Sequence, residues 1–261
     1  MSLSLGYPSR PHKPRRSGRT ALIDPGLPLG LFADTLNTHH PYIDAVKFGW
    51  TTGLFTATLP AKIEIASRLQ IDCWVGGTAF EMAWQEGKLD DYLAWLRQLG
   101  VTRIEISDGT VSLPASERER LIRDLRGAFG IIAEIGKKAR QVEPDAAAWI
   151  ALARADIAAG ADLVIFEGRE SGTAGVYGSE GEVRSDLLGA ILSAGLPRDR
   201  LAFEAPRKDQ QAWFLRRLGP EVNLSNIAWS DVIPLETLRC GLRSDTAGLL
   251  PSAIHPAQRA S

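Results

Sequence analysis

An α/β fold is predicted from this 261-residue chain by three observations. Short apolar or β-branched runs recur along it. Each is followed by an amphipathic stretch, and turn-forming residues separate the two. Strands alternating with helices assemble through right-handed crossovers into a parallel sheet. The runs are TALID (20–24), DAVKF (44–48), DCWVG (72–76), RIEIS (103–107), GIIAEI (130–135), DLVIFE (162–167), LAFEA (201–205) and EVNLS (221–225). Eight such units suit a closed (β/α)8 TIM barrel of ordinary length. A doubly wound open sheet is the alternative, weakened because no G-x-G-x-x-G opens the first helix.

The intervening stretches carry helical patterns, as in LPAKIEIASRLQ (59–70) and SERERLIRDLRGAFG (116–130). In LDDYLAWLRQLG, Leu89, Tyr92, Leu93 and Leu96 follow the i, i+3, i+4, i+7 rhythm, and Gly100 suits a C-cap. The alanine-rich stretch after Pro144 starts near Asp145 and stops at Gly160. One barrel domain is expected over residues 20–249. Residues 1–19, with Arg10, Lys13, Arg15, Arg16 and Arg19 among prolines and serines, read as a disordered basic tail. Residues 250–261, which include His255, read as a loose C-terminal tail.

Bulk composition narrows the function. A net charge of −1 provides no global field for nucleic acid or an acidic membrane. No apolar run approaches the roughly 20 residues of a membrane span, and TALIDPGLPLG is too short and broken for an export signal. Cys73 and Cys240 are too few for a disulfide framework, so a cytoplasmic location is expected.

Such barrels place their reactive site at the carboxyl ends of the strands. Asp24 ends the first run, Lys47 sits near the end of the second, and GGT (76–78) with Glu81 follows the third. Glu105, Ser107 and Asp108 crowd the fourth, Glu134 and Lys137 the fifth, Glu167 and Arg169 the sixth. Glu204 stands at the seventh, Asn223 and Asn226 at the eighth. Alternation in RIEIS puts Ile104 and Ile106 on one face and Glu105 on the other, pointing into the barrel. Charges there are costly unless paired or metal-bound. Pairing with Lys47, Lys137, Arg169 or Arg207 is one reading of any single acid. Three or four acidic oxygen ligands from four successive strand ends suit a hard cation such as Mg²⁺. His12, His39 and His40 lack zinc-like spacing. Lys47, Lys137, Lys138, Arg169, Arg207, Lys208, Arg239 and Arg243 supply positive charge, so the expected partner is a small, multiply charged anion. Arg239 and Arg243 are spaced to share a helix face, with Asp245 placed to pair with Arg243. Trp213 and Phe214 are expected to pack on the barrel, and Cys240 to be a small filler.

The blocks YIDAVKFGW, GGTAFE, IEISDGT, EIGKK, VIFEGRESG, FEAPRKDQQAWF, NLSNIA and ETLRCGLRSDTAG occur in order. Together they resemble the phosphosulfolactate synthase family over roughly residues 20 to 248. The resemblance implies a (β/α)8 barrel, often a homo-oligomer, that adds sulfite to phosphoenolpyruvate with Mg²⁺ and yields 2-phospho-3-sulfolactate. On that expectation Glu105, Glu134 and Glu167 are the candidate Mg²⁺ ligands, Lys137 is the candidate proton donor, with Lys138 as its alternative, and Lys47 is the second catalytic candidate. Arg169, Arg207 and Arg243 would grip phosphate or sulfonate, helped by Asn226. Asp24-Pro25-Gly26 departs from the family's usual D-K-G, GWTTG from G-W-G-T, and Arg243-Ser244-Asp245 from R-G-D. The first departure keeps open another nucleophile, another enol ester or a silent anion-binding relative.

Overall fold

The computed structural model describes residues 7, 10–136, 145–169 and 171–247. Its strands are β1 (Thr20–Asp24), β2 (Ala45–Phe48), β3 (Asp72–Val75), β4 (Arg103–Ile106), β5 (Gly130–Ile135), β6 (Leu163–Phe166), β7 (Leu201–Glu204) and β8 (Asn223–Ile227). They form one parallel sheet in the order β3-β2-β1-β8-β7-β6-β5-β4, so β1 pairs with β8 and the sheet curls into a (β/α)8 barrel. The described helices are α1 (Leu29–His39), α2 (Leu59–Arg68), α3 (Gly77–Gln85), α4 (Leu89–Gln98), α5 (Ala115–Leu125), α6 (Ala146–Ala159), α7 (Ser185–Ser193), α8 (Lys208–Leu218) and α9 (Val232–Arg239).

Alternation along the strands builds two apolar layers. Outward residues such as Val46, Ile104, Ile106 and Val164 are fully buried against the helices. Inward ones, Ala21, Ala45, Trp74, Ile132, Leu163, Ile165 and Ala202, fill the lower barrel. Trp74 occupies the room left by the small alanines. On α4 the expected stripe of Tyr92, Leu93 and Leu96 is buried, worth about 1.5–3 kcal/mol for each large aliphatic side chain. Asp145 caps α6 by accepting from the Ala147 amide at 2.9 Å, and Gly160 ends it at φ 124.

The seam between β3 and β4 is closed differently. These neighbours share no backbone ladder; side chains cross it instead. Arg103 pairs with Asp72 at 2.6 Å, Trp74 Nε1 donates to Glu105 Oε2 at 2.7 Å, and the Gly77 amide donates to Glu105 Oε1 at 2.6 Å. The connection here holds two helices, α3 and α4, of which the sequence pattern marked only α4.

Three sequence expectations change. The basic stretch is not a loose tail from Arg10 onward, because the amino-terminal face of the barrel offers it acceptors. Arg15 binds Asp44 at 2.9 Å and the Pro41 carbonyl at 2.6 Å, while Lys13 reaches the His40 and Leu69 carbonyls. Arg239 and Arg243 do not share a helix, since α9 ends at Arg239. Asp245 pairs with Lys208 at 2.8 Å rather than with Arg243. Burial raises the Cys240 thiol to about 11, in keeping with a filler. Residues 250–261 lie outside the described residues.

Candidate active site

At the carboxyl ends of the strands lies a cavity of about 390 Å³. Its charged lining comprises Lys47, Glu105, Glu134, Glu167, Arg169 and Glu204, with Asn226 beside them. Strand parity explains the set. Lys47 follows inward Ala45, Glu134 follows inward Ile132, Glu167 follows inward Ile165, and Glu204 follows inward Ala202.

Lys47 is the hub. Its ammonium lies 2.9 Å from Glu134, 3.1 Å from Glu105 and 3.3 Å from Glu204, all four residues buried. Burial opposes its charge, but the three carboxylates outweigh burial and push its pKa well above the ordinary lysine value. Burial pushes Glu204 up to about 7 against the pull of Lys47, with the Gly168 amide also holding its charged form. Burial likewise raises Glu105, opposed by Lys47 and by its bonds from Gly77 and Trp74. The pairing reading of the acids therefore holds for Glu105, Glu134 and Glu204 among the described residues. Glu204 was in the census of strand ends but not among the candidate residues. The parity step applied to RIEIS would have picked it out in LAFEA.

Backbone strain concentrates here. Among the described residues the non-glycine positions with positive φ are Trp50, Thr51, Gln70, Arg169 and Asn226. All but Gln70 line this cavity, and such conformations cost about 1–3 kcal/mol each. Asn226 is 5% exposed, and its Oδ1 has no hydrogen-bond partner among the described residues. Arg169 is set on a loop anchored by the Val176 amide, which donates to the Glu167 carbonyl at 3.0 Å. Gly175, at φ +62, has no room for a Cβ against that same carbonyl.

Neighbouring charges brace the site from outside. Lys62 of α2 pairs with Asp24 at 2.6 Å, both fully buried, and Asp24 also accepts from the Gly26 and Leu27 amides. Glu81 organises the loop after β4, accepting from Ser107 and from the Gly109 and Thr110 amides. Arg118 of α5 is 1% exposed. It binds Asp156 at 2.8 Å and donates to the Glu134 carbonyl at 3.0 Å.

Two predicted anion-binding arginines stand elsewhere. Arg207 is exposed at the N-cap of α8 and donates to the Glu180 carbonyl at 2.8 Å. Arg243 follows the end of α9 and does not line the cavity. Arg239 is buried at the amino-terminal face, donating to the Val222 carbonyl at 2.8 Å. Lys137, Lys138 and Glu170 lie outside the described residues. Among the described residues no three histidine, cysteine or acidic groups are clustered as a metal cage.

Gly77 is the tightest point of the wall. A Cβ there would overlap Ser107 Oγ and stand 3.0 Å from Glu105 Oε1. Gly77→Ala is expected to displace Glu105 and lower turnover by about 10²-fold, with the protein still folded by circular dichroism. Unaltered steady-state turnover would contradict this role for the contact.

Residues 8–245 match the family model for (2R)-phospho-3-sulfolactate synthase (ComA). The chain is 41% identical to the phosphosulfolactate synthase of Bacillus subtilis (strain 168), over 93% of this chain and 97% of that protein. It is 39% identical to that of Methanothermobacter thermautotrophicus, over 92% of this chain and 95% of the relative. Among solved structures it resembles 3-hexulose-6-phosphate synthase from Salmonella typhimurium with a TM-score of 0.54, at 17% identity over 88% of this chain and 94% of that one. That last likeness speaks to the barrel alone.

Proposed function

The chain belongs to the (2R)-phospho-3-sulfolactate synthase family, and we propose on that premise that it adds sulfite to phosphoenolpyruvate, forming 2-phospho-3-sulfolactate. The observation that carries this reading is the set of four inward glutamates from successive strand ends around Lys47 and beside Arg169.

In the reaction the sulfite sulfur forms a bond to the methylene carbon. The double-bond electrons move to the carbon bearing the phosphate ester and onto the adjoining carboxylate, and a proton then arrives at that carbon. Lys47, held protonated by its acids, serves as a fixed positive charge and positions Glu105, Glu134 and Glu204. Arg169 offers a planar guanidinium to a phosphate or sulfonate oxyanion. Lys137 is the proton donor on this reading.

When fully ionised, the lining acids Glu105, Glu134, Glu167 and Glu204 outnumber Lys47 and Arg169 by two charges among the described residues. One divalent cation offsets that excess. Glu105 already engages both oxygens with Gly77, Trp74 and Lys47, so Mg²⁺ would be held by Glu134, Glu167 and Asn226 Oδ1, all hard oxygen donors. When bound, the ion stabilises negative charge developing on the substrate carboxylate.

We place the reaction in the cytoplasm; both cysteines are free and buried, and no described helix is long and apolar enough to cross a membrane. Self-association is part of the same proposal, supported by the exposed apolar side chains of Trp50, Leu54 and Phe55.

Phosphorus NMR of purified protein with phosphoenolpyruvate, sulfite and Mg²⁺ tests the reading. A new phosphate-ester resonance is expected, absent with EDTA and strongly slowed in Lys137→Ala. Phosphoenolpyruvate that binds yet persists unchanged would overturn it.

A further inference from the structure

At the opposite, amino-terminal end of the barrel an open cavity of about 590 Å³ is lined by Arg16, Arg19, Arg103 and Arg200, with Asp162 and Asp199. Four guanidinium groups face two carboxylates there. Among the described residues the side chains of Arg16 and Arg200 make no hydrogen bond or ion pair. Among the same residues Arg19 uses only Nε, toward the Arg15 carbonyl at 2.7 Å, and Arg103 only Nε, toward Asp72 at 2.6 Å. Asp162 already accepts from the Ile131 amide at 2.9 Å. The cluster therefore keeps most of its N–H donors unused among the described residues and, with Asp72 counted as the partner of Arg103, carries one positive charge in excess.

Like charges so placed repel unless an anion lies between them. Burial and the neighbouring Arg103 lower the pKa of Arg19, which is consistent with that repulsion. Guanidinium forks match phosphate oxygens in pairs, a geometry that lysines do not provide. The patch is concave and local, and the chain as a whole carries −1, so its form suits a small ligand rather than a nucleic acid. We propose that this cavity is a second anion site, separate from the catalytic one, that binds a small phosphate-bearing molecule.

Calorimetric titration of the Mg²⁺-free protein with inorganic phosphate and with glycerol 3-phosphate provides the test. Arg16→Ala/Arg200→Ala is the informative variant, because neither side chain braces the fold. Its binding at this site is expected to weaken by at least about tenfold, with the thermal unfolding midpoint unchanged and an Arg16→Lys/Arg200→Lys variant falling between. Tighter binding of glycerol 3-phosphate would assign a phosphate ester, and tighter binding of phosphate the free ion. Equal affinities for wild type and the alanine variant would overturn the proposal. So would binding of a single-stranded oligonucleotide with no response to either small anion.

Discussion

Lys47→Met is expected to lower turnover by about 10²–10³-fold, the scale of removing one preorganised charge from a reacting site. It should also destabilise the fold by about 3–5 kcal/mol near neutral pH, because it leaves buried carboxylates without their cation. The pH dependence separates these causes. Lys47 has a folded pKa above its unfolded value, so its contribution is complete below about 10.5 and is lost only as pH rises through the folded value. Glu204 is raised to about 7 from 4.5. For this carboxyl the favourable contribution is present below its unfolded pKa and is lost as pH rises from about 4.5 to 7. Without Lys47 the acids should be raised further, so the variant ought to regain stability on acidification. Urea unfolding at pH 5 and pH 7.5 checks this. A deficit that stays constant between the two, or a variant with wild-type turnover, would remove Lys47 from the centre of the site.

The second large effect is structural. Arg118→Ala is expected to cost about 3–5 kcal/mol, since Asp156 would remain buried without its partner. Burial raises Asp156 and Arg118 opposes that rise. Deleting the arginine should raise it further, making the loss larger at pH 7.5 than at pH 5 by the same sign. Arg118→Met/Asp156→Leu removes both charges, and stability should return to within about 1–2 kcal/mol of wild type. Turnover should not return with it, because the Glu134 carbonyl still lacks its donor from Arg118. A double variant as unstable as the single one would show that packing, rather than the orphaned charge, governs this position.

Much of the barrel was legible because short apolar runs, buried on both faces, recur between amphipathic stretches, and a charge inside such a run shows which residues point inward. Ile104 and Ile106 against Glu105 can be read without coordinates, and the same parity would have identified Glu204. The helix α3 was not legible, since GTAFEMAWQ lacks a clean polar face and begins in glycines that also suit a loop. The packed segment 10–19 was misread for a related reason. Its prolines and arginines look disordered alone, and only the carbonyls of Pro41, His40 and Leu69 make them ordered.

Local order along the chain thus determined the (β/α)8 class, the rim of acids and the family, because period-two patterning and motif order are properties of neighbouring residues. Tertiary structure alone decided which charges meet. Lys47 and Glu204 are separated by 157 positions, yet lie 3.3 Å apart because β2 and β7 point inward across one barrel. Arg207 and Arg243 carry the same charge as Arg169, but the ends of α8 and α9 set them away from the cavity. Pairing is a matter of distance, and the folded barrel sets the distance.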